Sequence, residues 1–153
     1  MGFSKDKIKL SSIYRGKVLD NIDPSKQGRV KIQVFGIFDS IDSVDIPWAV
    51  PAMPLFSGSG DDYGYFVVPE IGSYVFCFFE AGSLYSPVYF AEAPTAIHGI
   101  PAEAKTNYPN RRVIKTKAGV VISVDDSTGD VTIDATGASG SVIIKGSSVD
   151  INP

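Results

Sequence analysis

The sequence predicts an all-β protein in two parts, a small N-terminal barrel followed by a thin, repetitive ribbon. Three observations carry that prediction. Fifteen glycines and ten prolines punctuate 153 residues, and no stretch holds the apolar period of a long amphipathic helix, a combination that favours short strands and turns. The run Gly16 to Gly36 sets two apolar segments around a cluster of turn formers. From Val113 onward aromatic residues vanish and a Val-x-Ile-polar unit recurs. A chain of this size buries roughly two-thirds of its unfolded surface, enough for one modest core and an appendage.

Residues 1–12 are polar and read as an N-terminal arm outside the barrel. Lys17-Val18-Leu19 then leads into Asp23-Pro24-Ser25-Lys26-Gln27-Gly28. There Pro24 presets φ, Asp23 bonds back to the chain and Gly28 accepts a positive φ. Val30, Ile32 and Val34 alternate with Arg29, Lys31 and Gln33, the period of a half-buried strand with a solvated polar face. Residues 37–46, with Asp39, Asp42 and Asp45 between isolated apolar residues, read as a loop. Ile46 to Pro54 holds three prolines and the only tryptophan. That density excludes a helix or a central strand, leaving extended chain that pins Trp48 against the core. Gly58 to Gly64 is an acidic surface loop. Its glycines make no phosphate cradle, because no strand precedes and no helix follows, and Asp61 and Asp62 repel phosphate.

Tyr65 to Val68 reads as a further strand, closed by the turn residues 69–73. Tyr74 to Phe79 is apolar on both faces, as expected of a strand covered on two sides, in a barrel wall or against another subunit. Glu80 to Ser83 turns the chain, and Pro87 to Ala91 supplies the last strand. Five strands over residues 13–93 fit a small Greek-key barrel of the oligonucleotide/oligosaccharide-binding (OB) type.

Residues 94–112 carry three prolines and no sustained period, the texture of a linker. Residues 113–153 are the ribbon: Val120 to Asp125, Val131 to Asp134, Val142 to Lys145 and Val149 to Asn152, separated by Gly-containing turns. Such units bury little individually and need stacked neighbours, and about four short strands are too thin to fold alone. The ribbon therefore predicts a homo-oligomer in which several copies wind together. Val131, Ile133, Val142, Ile144, Val149 and Ile151 would face the shared interior.

Composition excludes several function classes. A formal charge of −3 and a pI near 5.0 leave no basic footprint for stable nucleic-acid binding. Cys77 is alone, so there is no intrachain disulfide framework and no cysteine zinc site. The N-terminus lacks the apolar run of a signal peptide, and Asp6 stands where the myristoylation pattern wants Ser or Thr. No apolar run reaches membrane-spanning length, so assembly in a cytoplasm is expected. His98 and Cys77 formally make a nucleophile pair, but a thiol between Phe76 and Phe78 reads as buried and inert. Asp125 to Asp130 lacks the ligand spacing and closing Glu of a calcium loop and reads as a hairpin turn. No catalytic constellation, metal site or cofactor site emerges. The competing reading is a binding module: Tyr63, Tyr65 and Tyr74 could stack on single-stranded bases or sugars, against the acidic balance of the loop beside them.

Several segments in a fixed order resemble a known family. Gly16 to Gly36 with its Asp-Pro turn and Gly28-Arg29-Val30, Pro47-Trp48-Ala49, Val68 to Ser73, Phe79-Glu80-Ala81-Gly82 and Ser86 to Tyr89 resemble the OB domain of phage baseplate central spikes. The Vgr spikes of type VI secretion share that domain. Ile114 to Ile122 and Asp125-Asp126 resemble the start of that family's intertwined β-helix. The resemblance implies a homotrimer with a β-helix or β-prism needle over residues 113–153. In such a spike the barrels attach to a baseplate hub protein, and the two-sided apolar run makes Tyr74, Phe76 and Phe78 the expected barrel–barrel or hub contacts. It implies a structural protein of the virion tail baseplate, driven through the host envelope when the tail contracts. The interval Ala91 to Val113 is too short for the lysozyme-like domain of some spikes, so peptidoglycan cleavage is not carried over. The needle also lacks the closely spaced histidines that hold an ion at some tips, which implies a separate tip protein.

Overall fold

The computed structural model describes residues 10–54, 63–96 and 99–151. The chain divides into two compact units, Met1–His98 and Gly99–Pro153.

The first unit is a closed barrel of five strands: β1 (Tyr14–Asp20), β2 (Val30–Val34), β3 (Trp48–Pro51), β4 (Tyr74–Phe79) and β5 (Pro87–Glu92). Their order around the barrel is β1-β2-β3-β5-β4, with β4 pairing back onto β1. All neighbours are antiparallel except β3 and β5. Alternation sends Val18, Val30, Ile32, Val34, Val75 and Cys77 inward, each almost wholly buried. Each fully buried aliphatic side chain of this kind contributes about 1.5–3 kcal/mol. Tyr14 and Phe38 pack edge-on against Phe79 at 5.5 and 5.8 Å between ring centroids, closing one end of the core. Leu10, assigned to the arm by its polar surroundings, belongs to this core.

Three expectations are corrected here. Tyr65 to Val68 forms no strand, and Tyr65, Phe66 and Val67 are exposed. The third barrel strand is instead β3, inside the proline-rich stretch that had excluded one. It is tolerated because Pro47 precedes the strand and Pro51 ends it, leaving Trp48, Ala49 and Val50 free to pair. Trp48 does not point into the core. The inward residue is Ala49, fully buried, while the half-buried indole lies outside, 5.8 Å from the Arg29 guanidinium carbon and 5.3 Å from Lys31 Nζ. Finally, Lys31 is not solvated. Its ammonium donates to the carbonyls of Ser43 (2.7 Å) and Val44 (2.8 Å), which ties the 37–46 loop onto the barrel wall.

The β1–β2 connection is organised by Asp23. Its carboxylate accepts hydrogen bonds from the backbone N–H groups of Ser25 (2.9 Å) and Gln27 (2.8 Å) and from Arg29 Nη2 (2.7 Å) and Nε (3.1 Å). Arg29, with the backbone donors beside it, holds this carboxyl well below the usual carboxylate range. Gly28 has a φ of +76°, a side chain there would run into the Phe66 ring, and its carbonyl accepts the Tyr89 hydroxyl at 2.6 Å. Gly16 answers a different need. A Cβ there would lie 2.4 Å from Ile32 Cγ2 and 2.7 Å from the Gln33 carbonyl oxygen, so β1 and β2 cross too closely for any side chain.

The second unit is a three-stranded antiparallel meander of β6 (Arg111–Lys115), β7 (Val121–Asp125) and β8 (Asp130–Asp134). A one-turn helix, α1 (Ala102–Lys105), precedes it within the stretch expected to be featureless linker. Glu103 on that turn pairs with Lys115 of β6 at 2.6 Å. The turn between β7 and β8 is the hairpin expected at Asp126 to Gly129, with Gly129 at φ +78° and its N–H bonded to the Asp125 carbonyl. Beyond a short 3₁₀ turn at Thr136–Ala138 the regular structure stops. Val142 to Lys145 and Val149 to Ile151, expected as strands, carry no strand pairing in the single chain.

Two outcomes test this packing. Gly16→Ala should lower unfolding stability by about 2 kcal/mol or more, because a methyl is forced into a filled space against backbone; a denaturant midpoint shift with unchanged slope reads it. Asp23→Asn should lower the melting temperature at neutral pH. A carboxyl depressed from its ordinary 3.8 stabilises the fold above that value and loses the effect as pH falls through the folded value. The gap between wild type and Asp23→Asn should therefore be full at pH 7 and narrow progressively from about pH 4 downward.

Candidate functional site

The residues with chemical potential do not converge. Cys77 faces the barrel interior, wholly buried, and burial pushes its thiol up to about 11, the opposite of an activated nucleophile. His98, Asp61 and Asp62 lie outside the described residues. Asp125 is committed to its own turn. Asn107 Nδ2 (2.9 Å) and Ser127 Oγ (2.6 Å) donate to its carboxylate, and these bonds hold it down at about 2. Among the described residues no group of three or more His, Cys, Asp or Glu side chains could hold a metal ion. Tyr65 lines a cleft at one end of the barrel, whereas Tyr74 packs on Phe35 at 6.0 Å and Tyr63 is exposed.

What the structure offers instead is surface. On the barrel, the outward residues of β4 and the Phe90 bulge of β5 form an aromatic stripe. Phe76 and Phe78 each lie 6.2 Å from Phe90, and the Arg15 guanidinium sits 5.1 Å from the centre of the Phe76 ring. The register explains the grouping: Arg15 lies opposite Phe76 and Lys17 opposite Tyr74 across the β1–β4 ladder. Tyr74, Phe76 and Phe78 are thus half-buried by one another and by their neighbours, with Phe35 and Phe90 more open at 42% and 41% exposure. Sequence reasoning named the three β4 positions from the double-sided apolar run. It missed Phe35, Phe90 and Arg15, whose membership depends on strand register.

In the second unit the two faces of the sheet differ sharply. Ile114 lies opposite Ile122, Ile122 opposite Ile133, and Val124 opposite Val131. All five share one face, since directly paired residues and those two apart point the same way. Every one is exposed, up to 69% for Val131. The other face carries Ser123, which is buried, with Arg111 Nη2 donating to its hydroxyl and Glu103 and Lys115 paired alongside. Val131 and Ile133 therefore stand together on an open apolar face. Val142, Ile144, Val149 and Ile151 are likewise exposed, on the strandless segment that follows.

The family model of the type VI secretion system/phage-baseplate injector OB domain matches residues 14–92. That span runs from the first residue of β1 to the last residue of β5. No curated protein matches the chain. The match takes in just over half of the sequence and coincides with the closed five-stranded barrel, so the chain belongs to the family of type VI secretion and phage-baseplate injector OB domains, structural parts of the baseplate.

Proposed function

We propose that this chain is the central spike of a contractile tail baseplate, a structural protein rather than an enzyme. The barrel attaches to the hub, and the second unit winds with two further copies into a β-helix or β-prism needle that crosses the host envelope. The observation that carries this reading is the apolar face of β6–β8. A sheet that leaves Ile114, Ile122, Val124, Val131 and Ile133 in water, followed by a segment with exposed branched residues and no strand pairing, lacks the partner surface it needs to be stable. Copies of the same chain supply that surface at matching height, and the match of the barrel to the injector OB domain supports a place in a contractile tail baseplate. On the barrel, the aromatic stripe around Phe76 and Phe90 is the surface proposed to meet the hub or a neighbouring barrel.

The reading of the barrel as a binder of single strands or carbohydrate, expected from Tyr63, Tyr65 and Tyr74, would gain Trp48 with Arg29 and Lys31 beside it. Both cations are engaged, Arg29 by Asp23 and Lys31 by two carbonyls. Neither is available to a phosphate without losing those bonds, which favours the structural role.

The solution mass tests the proposal. Light scattering on the wild-type chain should give three times the chain mass. Ile133→Asp would bring a carboxylate from every copy into a dry interior at a cost of roughly several kcal/mol each, so this variant should run as a monomer whose Trp48 emission still reports a folded barrel. A wild-type monomer, or an Ile133→Asp chain that stays trimeric, would overturn it.

A further inference from the structure

The parallel ladder between β3 and β5 ends at Pro51 and Tyr89, its last bond running from the Ala52 N–H to the Tyr89 carbonyl at 2.8 Å. β5 continues to Glu92, paired on its other side with β4. The next residue, Ala93, donates its N–H to the Tyr74 carbonyl of β4. Because successive peptide groups alternate in direction along a strand, those of Glu92 point away from β4, off an edge that no other described strand pairs. That edge borders a cleft of about 370 Å³ whose walls include Pro51, Met53, Tyr65, Val67, Tyr89 and Glu92. The volume lies in the ~300–1,000 Å³ range of ligand sites. The Tyr89 hydroxyl is already given to Gly28, and among the described residues no cation pairs with Glu92.

An open strand edge, apolar walls and one unpaired carboxylate fit a particular ligand chemistry. A phosphate or nucleotide would meet the negative charge of Glu92 and, among the described lining residues, no cation. A sugar would find few polar partners for its hydroxyls. An extended backbone, by contrast, satisfies the peptide groups at the edge while alternate side chains enter the cleft. We propose that this cleft binds an extended peptide segment of another protein, apolar at alternate positions with a lysine or arginine between them. The segment adds to β5 as a short strand and sets its cation against Glu92. The inference uses the barrel alone and stands whether or not the second unit forms a needle.

The test uses the full chain and a fluorescein-labelled acetyl-Ile-Lys-Ile-Lys-Ile amide peptide, followed by fluorescence anisotropy. Saturable binding is expected, weakened at least about tenfold by Val67→Asp. Glu92→Lys, which reverses the charge in the cleft wall and leaves its apolar lining in place, should abolish the preference for this peptide over its Ile-Glu-Ile-Glu-Ile counterpart. Tyr85→Ser, an exposed side chain outside the cleft, should leave affinity unchanged, and melting midpoints verify that each variant is folded. Three results would overturn the proposal: no binding by the wild type, binding indifferent to both Val67→Asp and Glu92→Lys, or binding removed by Tyr85→Ser. Peptide that displaces one copy of the chain from another in light scattering would assign the cleft to self-association and overturn it as well.

Discussion

The barrel closes through a parallel ladder only two residue pairs long, Val50 on Val88 and Pro51 on Tyr89. Without it the sheet is an open curl with two exposed edges, and Val30, Ile32 and Val75 have nothing to pack around. So short a ladder holds because the chain reinforces it from several directions. Ala49 is small enough to let β2 and β3 approach with no side chain between them and the core. The Tyr89 hydroxyl reaches across to the Gly28 carbonyl, linking β5 to the start of β2. On the outside, Lys31 draws the 37–46 loop onto the wall, and Trp48 lies against the Arg29 guanidinium and the Lys31 ammonium. Closure is thus a consequence of many modest bonds at the β2–β3 corner rather than of one long ladder.

Local patterning made part of this legible and left part hidden. The Asp23 to Gly28 turn and the Val30-Ile32-Val34 alternation were readable because each rests on neighbours in sequence. The exposed or buried state of Lys31 was not, since its partners are carbonyls twelve and thirteen residues away. The choice between Trp48–Pro51 and Tyr65–Val68 as the third strand went the wrong way for a physical reason. β-propensity favours the Tyr-Phe-Val-Val run, but a strand is made by available edges, and the edge of β2 was taken by the segment whose prolines happen to fall at its ends. Proline counted by density excluded a strand; proline placed by position permits it.

The same distinction governs the second unit. The Val-x-Ile spacing placed Val131 and Ile133 on one face, and the pairing with β7 keeps them there beside Ile122 and Val124. Spacing alone could not reveal that β6, with its charged Arg111, Arg112 and Lys115, joins the sheet. Nor could it show that the meander is sided, one face carrying the Arg111–Ser123 bond and the Glu103–Lys115 pair and the other five exposed apolar residues beside Arg112. Residues 142–151 repeat the spacing yet stay unpaired, because a repeat specifies which side chains share a face and not which strand they meet.

The position of Trp48 has an optical consequence. As the sole tryptophan, lying on the barrel wall within 6 Å of two cations, it makes long-wavelength emission a signal from the first unit alone. The second unit, whose one aromatic residue is Tyr108, is silent in that channel and is followed through its backbone absorption. One chain therefore carries its own pair of spectroscopic reporters. Emission follows the barrel and far-ultraviolet dichroism follows both units, so the difference between the two unfolding curves isolates the ribbon without any label.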